Sequence, residues 1–179
     1  MTVRLLILTF TVTLALALLT GCSSDPGVTV SDAAIPPVVP SEPILTNPEA
    51  AVRSYADWIG YAYRVLDSDV ATRTFTPNEE VRVDSYVQYN LMEGRAIEQH
   101  LQRSDYERVK PSSEGTVTLA GSEYWLYRYI DPQKQSYLTA PLEASYEITY
   151  TVVRQDDGRW LVDKVRAKLL DEPVSPEAE

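Results

Sequence analysis

Tyr146-Glu147-Ile148-Thr149-Tyr150-Thr151-Val152-Val153-Arg154, followed by Gln155-Asp156-Asp157-Gly158 and then Arg159-Trp160-Leu161-Val162-Asp163-Lys164-Val165, is the stretch whose reading decides the fold. Tyr146, Ile148, Tyr150 and Val152 alternate with Glu147, Thr149 and Thr151. One face is therefore apolar and the other polar, as in a half-buried strand. Asp157-Gly158 supplies residues that tolerate the positive φ of a tight reversal, so the two runs read as a hairpin. Strands are expected from Leu142 to Arg154 and from Trp160 to Leu169, the second setting Leu161, Val165, Ala167 and Leu169 against Lys164, Arg166 and Lys168.

Upstream the same period of two continues. Thr116 to Ile130 predicts a long strand, with Val117, Leu119, Trp125, Tyr127 and Tyr129 on one face and Tyr124, Leu126 and Ile130 on the other. Gly121 marks a bend or bulge within it. Gln99 to Lys110 is a polar candidate strand stopped by Pro111, and Asp131-Pro132 opens a loop.

Before about Gln99 the period is close to 3.6. Asn47-Pro48-Glu49 offers an N-cap, a proline at the first helical position and a first-turn acid. Val52, Tyr55, Ile59, Ala62 and Leu66 then recur at helical spacing, which predicts a helix over 48–66. Asp67-Ser68-Asp69 ends it or begins a short second turn. Thr76-Pro77-Asn78-Glu79 has the spacing of a capping box. The helix it opens sets Val83, Val87, Asn90, Leu91 and Gly94 on one side, and an end at Gly94 or beyond Ile97 stays open.

Helices followed by long hairpin-linked strands make an α+β domain, with N-terminal helices packed on one face of a curved antiparallel sheet of about four strands. Its span is residues 47–170, one domain. The order of elements, the quoted hairpin and Glu123-Tyr124-Trp125-Leu126-Tyr127-Arg128-Tyr129 together resemble the cone-shaped nuclear-transport-factor-2-like superfamily. That resemblance implies a cavity closed by helices over the sheet. It implies no particular chemistry, because the superfamily includes isomerases, dehydratases, small-molecule binders and contact domains.

The N-terminus carries a second resemblance. Met1-Thr2-Val3-Arg4 is short and basic, Leu5 to Leu19 is uncharged and apolar, and Leu19-Thr20-Gly21-Cys22 resembles the lipobox of bacterial lipoproteins. The implied organisation is a signal peptide over 1–21 and a lipid anchor on Cys22. The protein is then expected in the cell envelope, on the extracytoplasmic side of a bacterial membrane. Residues 23–47 hold five of the twelve prolines and no aromatic side chain. A disordered Pro-rich tether is expected over 22–46. The acidic stretch 171–179 reads as a disordered tail.

Charge and residue usage then exclude classes of function. With Arg4 the only charge removed, the mature chain carries 15 basic and 26 acidic residues, a net charge of −11. Nucleic acid is not an expected partner, because phosphate needs a basic face. Cys22 is the only cysteine, so no internal disulfide is possible. One histidine and no cysteine pair leave no zinc motif, Asp67-Ser68-Asp69 does not continue as a calcium loop, and phosphate-loop glycines are missing. No metal and no cofactor are expected.

The expected role is a non-catalytic domain that binds a small ligand, an envelope protein or a second copy of itself as a homodimer, held to the membrane through Cys22. Trp125, Tyr127 and Tyr129 form the aromatic stripe such a contact surface or pocket would use. The alternative is a small cavity enzyme of the same fold, an isomerase, dehydratase or hydrolase. Asp84 on the second helix and His100 near the start of the sheet are the side chains it would recruit. An enzyme should show a mixed-polarity cavity with an acid pointing into it.

Overall fold

The computed structural model of the chain describes residues 33–113 and 115–170, with the backbone alone between 108 and 113. The expected signal peptide, Cys22, the first part of the tether and the acidic tail lie outside the described residues.

Helix α1 (Pro48–Val65) starts as its residues dictate: the Asn47 side chain accepts from the Ala50 N–H at 2.9 Å. It ends at Leu66, in the left-handed region at φ 58°, whose N–H reaches back to the Ala62 carbonyl. A 3-10 turn (Asp69–Thr74) and helix α2 (Pro77–Met92) follow. Gly94, at φ +66°, sits just past the end of α2, so the helix stops there and does not continue to Ile97. Leu91 is exposed, whereas Val83, Val87 and Asn90 are buried.

The capping box at Thr76 does not form. Thr76 Oγ1 donates instead to Asp163 at 2.7 Å, and Glu79 turns inward to accept from Tyr55 and from the Val165 N–H. A tertiary carboxylate site outcompetes the local cap because Glu79 is buried and Tyr55, the Val165 N–H and Arg82 satisfy it there.

Strands β1 (Ala96–Ser113), β2 (Thr116–Asp131), β4 (Leu142–Arg154) and β5 (Trp160–Leu169) pair antiparallel in that order. The first begins before Gln99 and runs through Pro111, which is tolerated on an edge strand. A fifth short strand, β3 (Ser136–Tyr137), pairs with the end of β2 inside the expected loop. The fold is α+β, with α1 lying across the inner face of the sheet and α2 beside β5.

Two bulges set which side chains face α1. In β1, Leu101 opposes Trp125 and Arg103 opposes Tyr124, so Gln102 is an extra residue. In β5, Val162 opposes Val152 and Lys164 opposes Thr151, so Asp163 is extra. Each insertion flips the parity beyond it. Val162 and Val165 therefore share the inner face with Tyr150 and Val152, and Ala167 and Leu169 near the strand's end are exposed.

The described part of the Pro-rich stretch, residues 33–46, packs, so the folded body begins before Asn47. Residues 33–46 form a strap: Ala33 bridges Ser136, the Ala34 N–H donates to the Gln135 carbonyl, and Arg64 donates to the Ile35 carbonyl at 3.1 Å. Further along, Trp58 Nε1 donates to the Ser41 carbonyl, Leu45 is buried, and the Trp160 N–H donates to the Leu45 carbonyl at 2.9 Å. Proline prevents a continuous ladder but not side-chain burial. A chain shortened to begin at Asn47 should lose about 2–3 kcal/mol relative to one beginning at Ser23, for the buried leucine and the hydrogen bonds to Trp58 and Trp160. Urea melts of the two compare them directly; coincident transitions would mean that the strap contributes nothing.

Candidate functional site

A cavity of about 310 Å³ lies between α1 and the inner face of the sheet. Tyr55, Ile59 and Tyr63 of α1 line one side, and Trp125, Tyr127 and Tyr129 of β2 with Tyr146, Ile148 and Tyr150 of β4 line the other. Arg82, Tyr86 and Ala167 stand at its more exposed end. Inward parity explains the wall, since Tyr146, Ile148 and Tyr150 lie in register with Glu123, Gly121 and Leu119.

Glu123 is the acid in this cavity, and it is 3% exposed. Its Oε1 accepts from Tyr150 Oη at 2.7 Å and from Tyr106 Oη at 2.5 Å, and its Oε2 accepts from Trp125 Nε1 at 2.8 Å. Tyr106 reaches it only because the Gln102 bulge turns that residue inward, opposite Gly121. Burial, followed by the nearby carboxylate, pushes the Tyr106 and Tyr150 phenols well above the usual tyrosine range. They are therefore protonated donors at neutral pH. No cation pairs with Glu123 among the described residues; neutral donors alone hold it.

A second polar knot closes the α2 side. Tyr55 Oη donates to Glu79 Oε1 at 2.6 Å, Arg82 Nε donates to the same oxygen at 2.5 Å, and Arg82 Nη2 reaches the Tyr55 hydroxyl. Burial works against the Arg82 charge, but Tyr55, Tyr63 and Glu79 outweigh it and raise its pKa. Burial also pushes Tyr63 up to about 12, partly offset by Arg82.

Arg95 does not line the cavity itself but packs against Tyr129, which does. Its guanidinium sits 4.1 Å from the centre of the Tyr129 ring and 5.6 Å from that of Tyr89. Nε donates to Asn90 Oδ1 at 3.2 Å, and buried Asn90 is itself fixed by donating to the Tyr86 carbonyl.

The strap roofs another cavity, of about 420 Å³, lined by Pro36, Val38, Asp57, Arg64, Glu98 and His100. Its buried charges face one another. Arg64 Nε has no hydrogen bond but lies 4.0 Å from Glu98 Oε2, and Tyr137 Oη also donates to Glu98. Burial raises the Asp57 pKa. This pocket is larger, but internal partners already engage its Arg64 and Glu98.

The structure does not bring Asp84 and His100 into the aromatic cavity. Asp84 is exposed on α2 and accepts from Ser68 Oγ at 3.1 Å; His100 lines the strap cavity, exposed, 3.8 Å from Glu98. Trp125, Tyr127 and Tyr129 do come together, half-buried on the face turned to α1, so the stripe forms the wall of a cavity instead of an outer contact face. Lys164, Arg166 and Lys168 are exposed on the other face. Among the described residues no group of acids and histidine is arranged to hold a metal ion.

Glu123 was legible in part, because it stands two residues before Trp125 on the same parity. Tyr106 was not, since only the bulge aligns it.

No protein-family model matches the chain, and no curated protein matches it. Solved structures do resemble it. The intermembrane-space region of the chloroplast protein ARC6 is 11% identical, with 68% of this chain and 94% of that one covered at a TM-score of 0.53. ActVI-ORFA from Streptomyces coelicolor is 14% identical over 69% of this chain and 96% of that one, at 0.49. CagV, a VirB8 homolog of the T4SS from Helicobacter pylori, is 11% identical over 68% and 99%, at 0.46. At these identities the likeness is one of fold, and the fold it joins to the layers described above is the nuclear-transport-factor-2-like α+β cone.

Proposed function

We propose that this is a lipid-anchored protein of the extracytoplasmic side of a bacterial membrane whose cone holds a small, largely apolar ligand without transforming it. The anchor rests on Leu19-Thr20-Gly21-Cys22 and the apolar run before it, with residues 1–21 removed and Cys22 lipidated. The observation that carries the binding role is the cavity of about 310 Å³ walled by tyrosines and Trp125, a size and lining suited to a small aromatic body. Non-catalytic binding is favoured because three internal donors hold Glu123, the acid in that cavity, which orients it more than it frees it for substrate.

The core closes within the described residues, so the chain from Ser23 serves for measurement. N-phenyl-1-naphthylamine, a neutral aromatic amine that brightens in apolar surroundings, should bind it saturably. Ala167→Trp, a plug at an exposed rim position, should weaken that binding at least about tenfold with an unchanged melting temperature. Absence of saturable binding, or binding indifferent to the plug, would sink the reading.

Proton-transfer catalysis is the second reading, favoured by Glu123 facing the cavity with two phenols beside it. It requires deuterium exchange at the α-carbon of a bound cyclic enone, lost in Glu123→Gln. Simple binding requires no exchange.

A further inference from the structure

Three features in and beside the aromatic cavity point one way. The first is a guanidinium without a counter-ion: among the described residues no carboxylate forms an ion pair with Arg95, whereas Arg82 pairs with Glu79 and Arg73 with Glu42. Arg95 is nonetheless held in place, stacked on Tyr129 and Tyr89 and bonded to buried Asn90. Its backbone is fixed as well, by the N–H donated to the Asn90 carbonyl at 3.0 Å. A cation already ordered and partly desolvated costs less to engage than one on a free surface.

The second feature is a set of idle donors. Tyr127, Tyr129 and Tyr146 line the cavity, and among the described residues their hydroxyls make no hydrogen bond. Burial and the neighbouring phenols hold Tyr127 and Tyr146 above the ordinary tyrosine value, so both offer O–H groups at neutral pH. Arg95 lies close enough to bear electrostatically on Tyr86 and Tyr127.

The third feature is the carboxylate of Glu123, deep in the same cavity and far less exposed than these phenols. A negative group on a ligand is repelled by that carboxylate and drawn toward Arg95 beside Tyr129.

We propose that the ligand is an organic anion, a carboxylate or sulfonate on an apolar aromatic body, with its anionic head on Arg95 and the hydroxyls of Tyr127, Tyr129 and Tyr146 and its body in the cavity. This rests on the binding role above and adds the head group and the orientation. A guanidinium binds such a head through charge-assisted hydrogen bonds, and the phenols add neutral ones.

Two probes with the same aromatic body isolate the head: 1-anilinonaphthalene-8-sulfonate carries it and N-phenyl-1-naphthylamine lacks it. The chain from Ser23 should bind the sulfonate at least about tenfold more tightly at low salt, as expected for a hydrogen bond to a charged group. Arg95→Gln should abolish that preference and leave the neutral probe's affinity within about twofold, while Arg95→Lys keeps part of it. Should Arg95→Gln disturb the fold, Tyr127→Phe with Tyr146→Phe, which removes only hydroxyls, should still reduce the preference. Equal affinity for both probes, or a preference untouched by both sets of variants, overturns the anion assignment and leaves the cavity reading standing. Failure of both probes to bind, or indifference of both to Ala167→Trp, overturns the cavity reading itself.

Discussion

Gly121→Ala should cost more than about 3 kcal/mol, enough to put a domain of ordinary stability near its unfolding threshold. A Cβ placed there would lie 1.7 Å from the carbonyl oxygen of Asp105 and 2.8 Å from its carbonyl carbon. Both are backbone atoms of β1, and Asp105 is in register with Ser122 in the middle of a continuous pairing. No rotamer change can clear them, so β1 must move away from β2. Movement of β1 also takes Tyr106 off Glu123. A side chain at Gly60 meets only ordinary contacts, 3.6 Å from the Gln99 side chain and carbonyl. Gly60→Ala lies within α1 and should therefore stabilise by about 0.5–1 kcal/mol through helix propensity. Urea melts of both variants check the pair; a Gly121→Ala transition near that of the parent would show that the strands tolerate a wider spacing.

Glu123→Leu should cost about 3–6 kcal/mol, since it leaves Tyr106 Oη, Tyr150 Oη and Trp125 Nε1 without their acceptor. Tyr150 is 2% exposed, so water cannot readily replace the lost bond there. The physical cause is separable from lost packing. Adding Tyr106→Phe and Tyr150→Phe to Glu123→Leu removes two of the orphaned donors and should recover more than half of the loss, because replacing both partners with apolar groups is far milder than stranding one. If the triple variant is no more stable than Glu123→Leu alone, the donors are not what Glu123 supports. Binding and stability compete at this residue, since the carboxylate that anchors the wall also gives the cavity its polarity.

Residues 33–46 join α1, β3 and the start of β5 through Arg64, Ser136 and Trp160.

Local pattern alone determined much of this protein. Period-two alternation marked 142–154 and 160–169 as strands with the bounds observed, and Asn47-Pro48 marked where α1 begins, because a pleat or a cap depends on side chains only a few residues apart. The α+β class follows from the order of those periods. Tertiary structure alone decided the site. Whether Gln102 and Asp163 are bulged depends on the partner strand's register, and that register carries Tyr106 to Glu123 and Val162 inward. Glu79 satisfied the spacing of a cap but found better partners in Tyr55, Arg82 and the Val165 N–H, which approach it only once α1, α2 and β5 have packed. The prolines of the strap argued correctly against a helix or a ladder, but they carry no information about whether an extended segment finds a surface to cover; here that surface is α1 and its Trp58.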